Sequence, residues 1–435
     1  MPHVAFVPLT GLRVRSAEML ELGMSLPGLR QRASALQELP ALGLLTLAGM
    51  TPHDWSCSWH AAQGCENELV EDVAATGPTL IAISALTASA EDAYRLSAAF
   101  AERSLPVVIG GLHATACSEE VARHCDAVVV GDGEPVWQEV LADAARGQLR
   151  PKYQASRTFD LAEAPLPRFD LLGHAPPRWT LQTQRGCPFA CDFCGASRLL
   201  GPFREKPIER IRAELAAMNS ITPRPWLELA DDNTFAGERD TSELFAALQE
   251  SGARYFTEAD WRIGERPDVL ASLADSGCVQ VLVGIESLQF RYPGMGAKHA
   301  ELQRMMDAVQ AIQEAGVAVN GCFVIGADGE TDASLDHMTE FVLQSPLAEV
   351  QITLQTPFPG TGLYRRLQRE NRLLADRGWS YYSLFDVTYQ PDCLTVEGLE
   401  SGFRRVLRNV FSPEASRRRF ELRKAILRNP RASSQ

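Results

Sequence analysis

Apolar and polar positions alternate along this chain in two separate series. Up to about residue 150, short runs of apolar and β-branched residues predict strands at Val4–Pro8, Thr79–Ser84, Pro106–Gly111 and Ala127–Gly131, with Ser56–His60 as a weaker fifth. Between them, apolar residues recur at helical spacing over Ala41–Gly49, Ala90–Glu102 and Pro135–Ala145. Strands that alternate with helices predict a parallel sheet covered on both faces. A ligand on such a sheet sits at the carboxyl ends of its strands.

Residues 151–177 break the rhythm. The run Pro165-Leu166-Pro167, with Pro176 and Pro177 behind it, removes too many backbone donors for a central strand and reads as a linker. A second alternation follows, with strands at Trp179–Gln184, Trp226–Ala230, Tyr255–Ala259, Val279–Ile285, Val319–Ile325 and Val350–Gln355. Helices are predicted at Ile208–Met218, Ser242–Glu250, Asp268–Ala274, Glu301–Ala315 and Ala333–Gln344. Six such units fit either a doubly wound sheet or an open barrel. Residues 366–435 form a mainly helical tail, giving domains at 1–150 and 178–365 around the linker.

A chain of 435 residues holds two or three domains at about 100–200 residues each. The net charge of −13 argues against a general nucleic-acid binder. The cations from Arg417 to Arg431 are the exception, and they read as a solvated final helix. The N-terminus reads as a strand, without a signal peptide, and no apolar run reaches the roughly 18 residues of an integral membrane segment. Seven scattered cysteines read as free thiols of a reducing compartment, which places the chain in the cytoplasm.

The other three cysteines carry the chemistry. Cys187, Cys191 and Cys194 are spaced C-x3-C-x2-C. Three thiolates this close can hold three irons of a 4Fe–4S cluster and leave the fourth open to a substrate or cofactor. A zinc site would need a fourth Cys or His nearby, which the sequence lacks.

This run, with Phe193 before the last cysteine, resembles the signature of the radical SAM enzymes, in which the open iron binds S-adenosylmethionine. The resemblance selects the six-unit (β/α) partial barrel and implies SAM contacts at strand ends: Asp231 and Asp232 after the second strand, Glu258 after the third, and Glu286 in Gly284-Ile285-Glu286-Ser287 after the fourth. Each of these also fits a helix cap or turn. In the first series, Ser84, Leu86 and Thr87 follow one strand, and Gly110, Gly111 and His113 follow the next. The pair resembles the Ser-x-Leu and Gly-Gly elements of cobalamin-binding domains, where glycine allows close approach of the cofactor. The chain lacks an Asp-x-His triplet, so cobalamin without a lower histidine ligand is implied. His113 is either a substitute ligand or hydrogen-bonded structure.

Over nearly all of residues 1–365 the chain thus resembles the cobalamin-dependent radical SAM enzymes, with a Rossmann-like doubly wound sheet and then the partial barrel; the helical tail follows. That class implies a methyltransferase acting on an unactivated carbon of a small-molecule or natural-product substrate, with an external one-electron reductant such as flavodoxin or ferredoxin. A cyclase or rearrangement enzyme, a radical SAM enzyme with a vestigial cobalamin domain, and a cofactor-binding sensor or carrier remain alternatives. Trp379-Ser380-Tyr381-Tyr382 and Phe385 read as a pocket wall or as packing of the tail.

Overall fold

The computed structural model describes residues 1–9, 14–26, 29, 39–298 and 301–428. Its first sheet contains β1 (His3–Pro8), β2 (Ser56–Trp59), β3 (Leu80–Ser84), β4 (Val107–Gly110), β5 (Ala127–Val130) and β6 (Lys152–Gln154). These run in the order β2-β1-β3-β4-β5-β6, and every neighbouring pair is parallel. The order reverses between β1 and β3, the point where such sheets open a crevice. Both faces are covered, so the strands are apolar on both. Ala5, Val7, Ile81 and Ile83 pack to one side, and Val4, Phe6, Leu80 and Ala82 to the other with Trp137. β6 falls within the stretch read as linker: three residues before the prolines suffice to pair with β5 at the edge.

The second sheet is built from β7 (Trp179–Leu181), β10 (Trp226–Leu229), β11 (Arg254–Ala259), β12 (Cys278–Glu286), β13 (Ala318–Ile325) and β14 (Glu349–Leu354), taken in sequence order and all parallel. β7 and β14 do not pair, so the barrel is open. Leu181, Leu229, Val283 and Ile325 belong to the main apolar core. Alternate positions such as Glu228, Glu258 and Gln280 take the other, polar face by the period of two. The strand expected at Trp179–Gln184 is split. Asp231 accepts from the amides of Thr183 (2.7 Å) and Gln184 (3.1 Å), which ends β7. The chain then enters a short antiparallel hairpin, β8 (Gln184–Arg185) with β9 (Arg204–Glu205). The cysteine run lies between these two strands.

The tail is a helix at Gly362–Arg369, an irregular stretch, and helices at Val396–Val410 and Pro413–Arg428. Trp379 crosses back to the first sheet. Its Nε1 donates to Glu120 (2.6 Å), its ring meets that of His113 edge-on at 5.1 Å, and the turn Trp379–Tyr381 packs on Thr87–Ser89. No helix among the described residues is long and apolar enough to cross a membrane.

Candidate functional site

The carboxyl ends of both sheets face one another across a cavity of about 450 Å³. Ser84, Leu86, Gly110, Gly111 and Gly133 line it from the first sheet; Thr180, Gln182, Arg185 and Ala230 line it from the second. Leu199 and Leu200, just beyond the cysteine run, complete the wall. Gly111 has φ +103°, and a Cβ there would stand 2.9 Å from the Ala85 carbonyl, so only glycine fits. Gly110 is different: its Cβ would meet only Val129 at 3.7 Å, so its lack of a side chain keeps the cavity open without serving the fold.

Two of the residues expected at this wall lie elsewhere. Thr87 is buried in the turn under Trp379. His113 is 2 % exposed, and its Nε2 shares a hydrogen bond with the Tyr94 hydroxyl (2.9 Å). Burial pushes its pKa down to about 4, against the smaller opposing pull of Glu120. It is a packed histidine behind the wall, hydrogen-bonded through Nε2 and outside the residues that line the cavity.

A buried ionic network joins the two sheets at the cavity floor. Arg185 donates to Asp132 (2.8 Å) and Glu134 (2.7 Å), and Arg204 to Asp132 (2.8 Å). Burial alone would raise the Asp132 carboxyl; Arg185, Arg204 and the Phe159 amide outweigh it and hold the group below its ordinary value.

The cysteine run is clamped by backbone. The Asp192 amide donates to Pro293 O (2.9 Å), and the Leu363 amide to Asp192 O (3.1 Å). Gly294, at φ +82°, lets its segment touch the Ala190 carbonyl where any Cβ would collide. Phe193 packs on Tyr292 (ring centroids 4.5 Å), and Tyr292 on Phe290 (4.9 Å), beside buried Cys191. Burial raises the Cys187 and Cys191 thiols, Cys191 to about 11, while Lys298 pulls both down. The three cysteines lie within electrostatic reach of one another. Among the described residues no three His, Cys, Asp or Glu side chains converge on the position of a single ion.

The acidic strand-end residues divide by role. Asp231 is buried and engaged by Thr183, Gln184 and Thr234, so it shapes the chain at the end of β7. Asp232 stays partly open near Cys187, its carboxyl raised to about 6 by burial and then by the charge of Asp231. Glu258 is exposed at the end of β11. Glu286 is buried at a register break in β12, at φ +68°, with its carboxylate over Gly284. A bulge re-aims a side chain in this way. Lys298 is the cation they share: Glu286, Cys191, Asp260 and Cys187 all raise its pKa against burial. Nothing in the sequence pattern marked Lys298, a lone lysine in a glycine-rich loop. Arg185, two residues before Cys187, carried a positional signal that went unread.

Glu330, behind Glu286, accepts from Gly326 N (2.7 Å) and Ser287 Oγ (3.4 Å), yet burial pushes its pKa up to about 7. A carboxyl raised in the fold stabilises it when protonated, and that contribution is lost as pH rises from the unfolded-state value toward about 7. Glu330→Gln has no such loss. Its melting temperature relative to the native chain should therefore rise between pH 5 and pH 8; a difference independent of pH would contradict this.

Residues 31–141 match the B12 binding domain family and residues 181–342 the Radical SAM superfamily. The bacteriochlorophyllide d C-12(1)-methyltransferase of Chlorobaculum tepidum is 26 % identical, over 80 % of this chain and 77 % of that protein. An anaerobic magnesium-protoporphyrin IX monomethyl ester cyclase of Cereibacter sphaeroides is 21 % identical, over 83 % of this chain and 63 % of its own length. Among solved structures, the radical S-adenosylmethionine methyltransferase TsrM of Kitasatospora setae, with cobalamin and a 4Fe–4S cluster bound, superposes with a TM-score of 0.65 at 12 % identity, covering 98 % of this chain and 99 % of that one.

Proposed function

Because the chain belongs to the cobalamin-dependent radical SAM enzymes, with a B12-binding domain ahead of a radical SAM domain, we propose that it transfers a methyl group to an unactivated carbon of a small molecule held between its two sheets. One observation carries the reading: the glycine wall of the first sheet and the segment following the three cysteines border a single cavity. Cys187, Cys191 and Cys194 are the thiol set for the cluster, and Gly110, Gly111 and Gly133 line the side of the cavity where the corrinoid would lie. When bound, the cluster with S-adenosylmethionine supplies a carbon-centred radical and the corrinoid supplies the methyl group.

The chain's own residues position and shield. Lys298 favours the ionised thiolates and offsets the negative charge gathered around them. Asp232 would meet the methionine amino group of S-adenosylmethionine, Glu258 its ribose, and Glu286 would lie beside its adenine. Phe193, Tyr292 and Phe290 keep water from the cluster side. An external one-electron reductant is required.

The test is reconstitution without oxygen, with iron, sulfide and cobalamin, followed by metal analysis and turnover with methyl-labelled S-adenosylmethionine. About four irons and one cobalt per chain are expected, with both 5′-deoxyadenosine and S-adenosylhomocysteine formed. Four irons without cobalt would retire methyl transfer. Deoxyadenosine alone, with cobalt present, would favour ring formation, the activity named for the cyclase relative. A Gly110→Leu variant should lose most of its cobalt and keep its iron, since the new side chain enters the cavity without opposing the backbone. Undiminished cobalt would place the corrinoid elsewhere.

A further inference from the structure

The helix Pro413–Arg428 carries six Arg or Lys and two Glu, in a chain whose net charge is −13. Its inner side is occupied by the protein itself. Ile426 packs on Ala318 and Ala348, Arg423 pairs with Glu349 (3.2 Å), Arg418 donates to Leu343 O (2.6 Å), and Arg419 reaches Val410 O. The outer side differs. At about 100° per residue, Leu427, Phe420, Lys424, Arg417 and Arg428 fall within an arc of about 100°. Phe420 is 60 % and Leu427 37 % exposed. Two large apolar side chains flanked by three cations, Lys424 among them standing 3.7 Å from Glu421 of the same helix, form a face open to solvent among the described residues of an otherwise acidic protein.

We propose that this face docks the enzyme on a membrane surface bearing anionic lipid. Cations supply the attraction to anionic headgroups, and the phenyl and leucyl groups enter the acyl boundary. An acidic electron donor fits the charge but not the position. Ala318 opens β13 and Ala348 precedes β14, so the helix covers the amino ends of the barrel strands, opposite the cysteine run. A nucleic acid would use the cations and leave Phe420 and Leu427 without a role.

The test is co-sedimentation of the full chain with vesicles of phosphatidylglycerol and phosphatidylcholine, or of phosphatidylcholine alone, at rising salt. Binding should require phosphatidylglycerol and weaken with salt. Phe420→Ser with Leu427→Ser should weaken it about tenfold, and Arg417→Glu with Lys424→Glu by at least about tenfold. These residues are exposed, so iron content and S-adenosylmethionine cleavage should be unchanged, which separates failed docking from misfolding. Equal sedimentation of native and variant chains would overturn the proposal. So would no preference for phosphatidylglycerol, tighter binding to a nucleic-acid duplex than to vesicles, or self-association through this helix without vesicle binding.

Discussion

Cys191→Ala will take cleavage of S-adenosylmethionine to background. Cys191 is the buried member of the three cysteines, set against Tyr292 and Met295, and its neighbours Ala190 and Asp192 are tied by backbone bonds to the 293–294 segment. Removing its thiol takes away one of the three iron ligands proposed above without disturbing those bonds. The effect should therefore appear in iron content and in the visible absorption of the reconstituted protein, with little change in melting of the metal-free chain. Retained cleavage, measured as 5′-deoxyadenosine after dithionite reduction, would remove the cysteine run from the chemistry.

Arg185→Ala should destabilise the chain by about 3 kcal/mol, the low end for breaking a buried ion pair. Its side chain is 13 % exposed; Asp132 and Glu134 are 12 % and 6 % exposed. Truncation leaves Glu134 without this cation and Asp132 with Arg204 alone. The network's stabilisation has a predictable pH dependence. Because the folded Asp132 carboxyl lies below its unfolded value, its contribution is complete above about pH 4 and is lost as pH falls below that. Thermal unfolding of native and Arg185→Ala chains should differ most near neutral pH and converge in acid. Equal melting temperatures at pH 7 would show that the two sheets are held together by other contacts.

The fold was legible where one period dominated. Strands buried on both faces, such as Leu80–Ser84, gave short apolar runs, and barrel strands gave alternation. What escaped was set by partners distant in sequence. β6 is three residues long and exists because β5 offers it an edge. The split after β7 is imposed by Asp231, nearly fifty residues on. The site divides the same way. Cysteines and glycines declare themselves by type and spacing, and the cavity includes the expected Ser84, Leu86, Gly110 and Gly111. His113 and Thr87 share that local pattern but face the return of Trp379, a contact across more than 250 residues that no window along the sequence reveals. Lys298 matters through what surrounds it, and those neighbours come from three separate segments of the chain.

The return of Trp379 also orders events during synthesis. A chain emerging from its amino end completes the first sheet and then the barrel before Trp379 is available to meet Glu120 and His113. Until then the two halves are tied by residues 155–178, the Arg185 network and contacts such as that from Thr180 Oγ1 to Pro40 O (3.0 Å), without the Trp379 contact. The cavity between them therefore passes through a stage with one fewer fastening, and a segment made after both sheets supplies the contact that closes them together.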